Sequence, residues 1–316
     1  MVAVCKPRRV SLLSLALCGV MASGAAAAVW NLSGSVGTHD PGIAKQGNTW
    51  WIAETSDSKG IKVKWSHDGH AWFQSRPVFP QGLSWWHPYN GKTAMTWAGE
   101  FSTFKGKSLL FYSISTLGSK KSAIGLATAS SIARGDWVDK GIVIASDNDS
   151  PYNAIDPNFV VDAAGNPWLA FGSWNNGIYI TRVDASTLKP IGFPVNLAKI
   201  EGGIEAPTIV RNGNYYYLFV SKGTCCDGAK STYHIDYGRS PDITGPYLDK
   251  NGVDMMKGGG TTLDAGSQRW KFPGGQSIVK DNNRWVMARH EKDASNNYNP
   301  VLFINDLYWK DGWPGF

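Results

Sequence analysis

Ala154-Ile155-Asp156-Pro157-Asn158 opens a short apolar run, Phe159-Val160-Val161, which passes through a Gly165-Asn166-Pro167 turn into Trp168-Leu169-Ala170-Phe171-Gly172-Ser173. Further on, Gly203-Ile204-Glu205-Ala206-Pro207 leads into Thr208-Ile209-Val210, an Asn212-Gly213-Asn214 turn and Tyr215-Tyr216-Tyr217-Leu218-Phe219-Val220-Ser221. The two stretches share one template: an acid beside a proline, a β-branched strand, a Gly/Asn turn, and an aromatic strand ending in Ser. Runs of Val, Ile and aromatics broken by Asn and Gly are hairpin signals. A template used twice predicts a repeat architecture.

It recurs three more times. His39-Asp40-Pro41-Gly42-Ile43 leads through Gly47-Asn48 to Thr49-Trp50-Trp51-Ile52-Ala53. Trp97-Ala98-Gly99-Glu100-Phe101 leads through Lys105-Gly106-Lys107 to Leu109-Leu110-Phe111-Tyr112-Ser113, and Phe272-Pro273-Gly274-Gly275-Gln276 through Asp281-Asn282-Asn283 to Arg284-Trp285-Val286-Met287-Ala288. A third strand-like run follows each hairpin, at 61–65, 123–127, 177–181, 233–237 and 301–304. Five units of three or four strands predict an all-β fold, a five-bladed β-propeller. Radial repetition brings the start of every inner strand to one axis. Asp40, Asp156 and Glu205 would therefore converge although they lie far apart in sequence.

The first segment reads as a targeting signal. Lys6, Arg8 and Arg9 precede an apolar run from Val10 to Met21 and a small-residue stretch from Ala22 to Ala28, the pattern of a secretory signal. We expect residues 1–28 to be this signal and 29–316 a single propeller domain. Cleavage lowers the net charge from +6 to +3, so the basic balance partly belongs to the signal. No clustered Lys/Arg patch argues for nucleic acid. Cys5 and Cys18 leave with the signal, and only the adjacent Cys225 and Cys226 remain. Neighbouring cysteines cannot staple distant loops; they form a vicinal disulfide at a loop tip or stay thiols. The chain carries 15 Trp, 12 Tyr and 12 Phe, enough to pack the blades and leave rings over as sugar platforms. The loop Trp85-Trp86-His87-Pro88 is expected to wall a substrate cavity.

Acid-proline pairs are ordinarily turn-formers at strand ends. Three at one place in a repeated unit point instead to chemistry. Glycoside hydrolysis needs two working carboxylates, and a third nearby raises the acid's pKa by like-charge repulsion. The sequence contains no zinc His-Glu-x-x-His motif, no Gly-x-Ser-x-Gly elbow, no P-loop and no dinucleotide fingerprint.

The residues resemble the arabinanases of glycoside hydrolase family 43 over essentially the whole mature chain. The resemblance rests on His39-Asp40-Pro41, Ser122-Ala123-Ile124-Gly125-Leu126-Ala127-Thr128, Ala154-Ile155-Asp156-Pro157-Asn158 and Glu205-Ala206-Pro207. It rests most on the run from Tyr216 through Cys225-Cys226-Asp227-Gly228 and Gly245-Pro246-Tyr247 to Gly260-Thr261. It implies a secreted enzyme, extracellular or periplasmic, that hydrolyses α-1,5-linked L-arabinofuranosyl chains with inversion. The substrate class is arabinan, as in pectin side chains. Asp40 matches the general base, Glu205 the general acid and Asp156 the third carboxylate, with base and acid expected about 6.5–9.5 Å apart. His39, Trp97, Leu117, Asn158, Ser173, Trp174, Cys225 and Cys226 are the expected substrate contacts. His290 matches an axial histidine associated with a bound ion, calcium held mostly through water. The expected protein is a monomer that binds neither nucleic acid nor, after signal cleavage, membrane.

Departures from the family pattern fall beside the site. Glu100 follows Gly99 where the family commonly has Pro-Asp, Leu117 replaces an aromatic, Gly275 stands where a cavity histidine is usual, and Arg289 replaces an aromatic before His290. They leave linkage, chain-end preference and metal dependence open, so endo action is favoured with an exo-arabinanase, arabinofuranosidase or xylosidase as alternative. A carbohydrate-binding propeller without catalysis would keep the aromatics and have no need of all three acids.

Overall fold

Five four-stranded antiparallel units carry the chain in sequence order. The computed structural model describes Met1 and residues 29–316 other than Asp57, Lys92 and Ala94; the expected signal at 1–28 lies outside the described residues. Blade I runs from an inner strand Gly42–Gln46 through Thr49–Glu54 and Lys62–Ser66 to Ala71–Gln74. Blade II is Trp97–Phe104, Lys107–Ile114, Ser122–Ala129 and Val138–Ser146. Blade III is Asn158–Val161, Pro167–Phe171, Ile178–Val183 and Pro190–Ala198. Blade IV is Ile204–Asn212, Tyr215–Lys222, His234–Ser240 and Thr261–Asp264, and blade V is Trp270–Asp281, Arg284–Asp293, Asn299–Lys310 and Trp313–Gly315. The fold is the five-bladed β-propeller read from the template.

One apolar cluster fills each gap between neighbouring blades. Trp51, Val63, Phe101 and Leu110 join I to II, and Phe111, Phe159, Leu169 and Phe171 join II to III. Ile180, Leu197, Ile209 and Leu218 join III to IV, Phe219, Tyr237, Trp285 and Met287 join IV to V, and Ile43, Ile52, Val286 and Ile304 join V to I. Each fully buried side chain of this size contributes about 1.5–3 kcal/mol. The aromatic second strands thus face two ways, into their own blade and into the next.

The ring closes through the residues before blade I. Ser33–Gly34 pairs in parallel with Ala71–Trp72 on that blade's outer edge. On its other side the same segment bonds to blade V, with Trp30 N–H donating to Ile304 O at 2.8 Å and Leu302 N–H to Val36 O at 2.7 Å.

Trp85 and Trp86 do not wall a cavity. The chain makes short helical turns at Ser84–Trp86 and His87–Asn90, which carry both rings into the gap between blades I and II. Trp86 is fully buried there, its ring edge-on to Tyr112 at 5.6 Å, while Trp85 donates to Asp139.

At the axis, each inner strand carries, within it or just before it, a residue in the left-handed region: Asp40 (φ 50°), Ala98 (43°), Asp156 (58°), Ala206 (52°) and Gly275 (57°). Non-glycine residues there are uncommon and strained, and persist where the surroundings over-determine them. The surroundings here are the neighbouring blade. Ala98 N–H donates to Thr55 Oγ1, Asp156 N–H to Ser113 Oγ, Gly275 N–H to Ser221 Oγ and Asp40 N–H to His290 Nδ1. The acceptor in each pair comes from the end of the preceding blade's second strand, which explains why that strand so often ends in Ser. Gly275 is required at its place, because a Cβ there would stand 2.3 Å from Asp40 Oδ1. A side chain such as histidine has no room beside that carboxylate.

Two residues further along, Gly42, Glu100, Asn158, Thr208 and Ser277 form a second ring. Glu100 accepts from Asn158 Nδ2 and Phe159 N–H, both at 3.0 Å. Asn158 Oδ1 accepts from Ile209 N–H, Thr208 Oγ1 donates to Gln276 O, and Ser277 Oγ accepts from Ile43 N–H. Between blades I and II the ring closes by contact: a Cβ on Gly42 would stand 2.0 Å from Gly99 O. Asn158 is buried with both ends of its amide used, so its part is to join blades rather than to touch substrate. Glu100 belongs to the same ring, its carboxyl spent on Asn158 and Phe159.

Burial pushes the Glu100 carboxyl up to about 8 from an ordinary 4.5, against the two amide donors. A carboxyl that keeps its proton only when folded makes folding take up a proton between those values, so stability falls as pH rises from 4.5 to 8. Glu100→Gln is expected to flatten the melting temperature across that window. An unchanged slope in melts against pH would show that Glu100 is ionised in the folded ring.

Candidate active site

Above the two rings, a cavity of about 580 Å³ is lined by Asp40, Asp156 and Glu205 together with His39, Thr55, Trp97, Leu117, Lys120, Asn153, Trp174, Cys225, Cys226 and Tyr233. The three acids therefore do converge. Of the expected substrate contacts, His39, Trp97, Leu117, Ser173, Trp174, Cys225 and Cys226 line it, and Asn158 does not. No described residue of the 81–96 loop contributes to this lining.

Asp40 is held as a carboxylate. Burial alone would raise its pKa, but the His39 ring donates to Oδ2 at 2.8 Å, His290 lies close, and Thr55 Oγ1 donates at 2.6 Å. Together they hold it well below the usual carboxylate range. His39 stacks on His290 at 4.1 Å between ring centres, which fixes the plane from which its proton is presented.

Asp156 and Glu205 go the other way. Burial raises Glu205, and the charge on Asp40 adds to it. Burial, Glu205 and Asp40 raise Asp156 well above its ordinary value. Burial and neighbouring negative charge thus hold both carboxyls toward their protonated forms.

The site sits where the upper ring breaks its own pattern. In blade III, Ser173 holds the place that Ser113 and Ser221 hold in blades II and IV, and should accept from Ala206 N–H. Asp156 Oδ2 takes that bond at 3.0 Å instead, and Ser173 Oγ donates to Glu205 Oε2 at 2.7 Å. Tyr233 OH donates to Glu205 Oε1 at 2.8 Å. Tyr233 directly precedes the third strand of blade IV, where the acid–proline template marks no chemistry, so sequence reasoning missed it.

Both hydroxyls favour the ionised form of Glu205 and oppose burial. Ser173→Ala or Tyr233→Phe should therefore raise its pKa, moving the alkaline limb of kcat/KM upward by about one pH unit per hydrogen bond of ~1 kcal/mol. A limb that moves down, or stays, in pH–rate profiles of the variants would show that neither hydroxyl bears on the acid.

Cys225 and Cys226 pair as a vicinal disulfide on the cavity wall. Leu117 stands on the rim, 87% exposed, where an apolar surface can meet a sugar face. Arg289 lies away from the cavity: it is buried on Asp264 at 2.6 Å and Glu291 at 2.7 Å and covers the Phe316 ring. Its replacement of an aromatic thus ties blades IV and V and the end of the chain.

His290 is fully buried, and its Nε2 has no hydrogen-bond partner among the described residues. Because Nδ1 accepts from Asp40 N–H, the neutral ring carries its proton on Nε2, and burial keeps it neutral. That atom offers a donor where a cation needs a lone pair. The cluster His39, Asp40 and His290 supplies one carboxylate, whereas calcium takes six to eight oxygens. A calcium ion here would need a shell made almost entirely of water, so no step below runs through a metal.

Residues 34–314 match the family described as glycosyl hydrolases family 43. The chain is 46% identical over 301 residues to an extracellular endo-alpha-(1->5)-L-arabinanase of Bacillus subtilis, covering 93% of this chain and 92% of that one. It is 36% identical over 323 residues to an extracellular exo-alpha-(1->5)-L-arabinofuranosidase of Cellvibrio japonicus, covering 94% and 89%. The fold superposes on an endo-arabinanase of Bacillus licheniformis with a TM-score of 0.87 at 47% identity, covering 91% of this chain and 100% of the other.

Proposed function

The chain belongs to the glycosyl hydrolases of family 43, and from that premise we propose that it is a secreted, inverting endo-1,5-α-L-arabinanase. The observation that supports this most is the split among three carboxylates facing one cavity: Asp40 held ionised, Glu205 and Asp156 held toward protonation.

In the proposed reaction the linear arabinan chain lies across the cavity with one glycosidic oxygen at Glu205. Glu205 gives its proton to that oxygen as the bond to the anomeric carbon breaks. Water attacks the same carbon from the opposite face, and its proton passes to Asp40. The product sugar then carries the inverted configuration. Asp156 orients the strand that carries Glu205 by the bond it accepts from Ala206 N–H. His39 and Thr55 keep Asp40 charged and aimed before the water arrives.

The relatives include both endo- and exo-acting enzymes, so the product series from debranched arabinan is the test. An endo-enzyme gives a spread of oligomers early that shortens with time. One short product from the start would overturn endo action and leave the pair Asp40 and Glu205 in place. Release of nothing from arabinan, with release from xylan, would overturn the substrate. Release from neither would favour a carbohydrate-binding role.

A further inference from the structure

Two sulfurs in the cavity are left unused by this mechanism. Cys225 and Cys226 sulfurs both lie 3.7 Å from His39 Nε2. Neighbouring residues in an extended chain point to opposite sides; here Cys226 is in the left-handed region, φ 68°, and both sulfurs meet one nitrogen. His39 Nδ1–H is committed to Asp40, so the neutral ring presents a lone pair at Nε2. A histidine oriented by a carboxylate on one nitrogen and free on the other is the arrangement by which proteins prepare an imidazole for a metal.

We propose that Cys225, Cys226 and His39 form a site for a thiophilic divalent cation of the zinc and cadmium class, opened when the disulfide is reduced. The ligand atoms lie within 4.8 Å of one another, a spacing that small side-chain rotations convert into three corners of a tetrahedron with bonds of about 2.0–2.3 Å. Two sulfurs and one imidazole nitrogen are ligands that such ions take, and the fourth corner is left for water. Lys292 adds a separate argument. The residue is buried, 5% exposed, and among the described residues its ammonium hydrogen-bonds only the two sulfurs, at 3.5 and 3.6 Å. A disulfide sulfur is a poor acceptor for a buried cation, whereas a thiolate pair would satisfy it.

The steps balance. A dithiol reductant becomes a disulfide as the Cys225–Cys226 bond takes two electrons and two protons. The cation then binds both sulfurs as thiolates, and two protons pass to solvent. The site does not depend on which glycoside the enzyme cleaves.

The experiment is a titration of the full protein with cadmium, before and after reduction by a dithiol that is then removed. The readouts are the thiolate-to-metal absorption band and the bound metal. The reduced protein is expected to take up one equivalent with the band present, and the oxidised protein none. His39→Gln should weaken uptake by at least about tenfold, and Cys225→Ser or Cys226→Ser should abolish the band. Uptake without the band, equal uptake by the oxidised protein, or full affinity in His39→Gln would each overturn the proposal. Comparing the two redox forms of the unaltered chain keeps the test decisive even if a variant fails to fold.

Discussion

Replacing Glu205 by Gln is expected to lower turnover of linear arabinan by about a thousandfold, the middle of the range for losing a general acid. The amide has the shape of the acid: the hydroxyl facing its oxygen goes on donating, while the other, of Ser173 or Tyr233, turns to accept from the NH2. The propeller should melt as before. The diagnostic is the leaving group. An aryl arabinofuranoside that departs as a stable phenolate needs little protonation, so its hydrolysis should fall far less than that of the polymer. Equal losses on both substrates, with folding intact, would remove Glu205 from the role of acid and turn attention to Asp156, the other raised carboxyl in the cavity.

Asp40→Asn should be at least as damaging, by about 10³–10⁴-fold, with the opposite dependence. Water must lose its proton whatever the leaving group, so polymer and aryl glycoside should suffer alike. Azide needs no proton removed and fits a space left for water. It should restore turnover to this variant and produce a glycosyl azide of inverted configuration. An azide product with retained configuration would mean that a carboxylate attacks the sugar directly. No effect of azide, in a variant that still folds, would mean that Asp40 serves His39 and His290 rather than the water.

Much of the ring could be read from the chain because each blade repeats a local pattern, and repetition predicts radial placement without any knowledge of loops. Asp40, Asp156 and Glu205 converge on one cavity as that pattern required. What escaped were features that alter the count of residues along a strand. Glu100, which looked like the acid of its blade, stands two residues past the left-handed Ala98 and so lines up with Asn158 one layer lower. Asn158, two residues past Asp156, spends its amide between blades. Trp85 and Trp86 looked like a cavity wall because nothing in an aromatic pair records which way a short helical turn will face it. Tyr233 reaches Glu205 from a strand whose start the template does not mark. The alternatives left open for Cys225 and Cys226 resolve to the vicinal disulfide.

The double bonding of residues 29–38, to blade I on one side and blade V on the other, sets an order of events. These residues are among the first of the domain to be made, yet the groups they bond, such as Leu302 and Ile304, come from near its end. The last gap in the ring therefore cannot seal during synthesis; it waits for almost the whole chain. Contacts so distant in sequence make for slow folding, and a chain that stays open this long remains threadable. A polypeptide meant to pass through a narrow channel before it folds gains time from having its first and last segments as clasp.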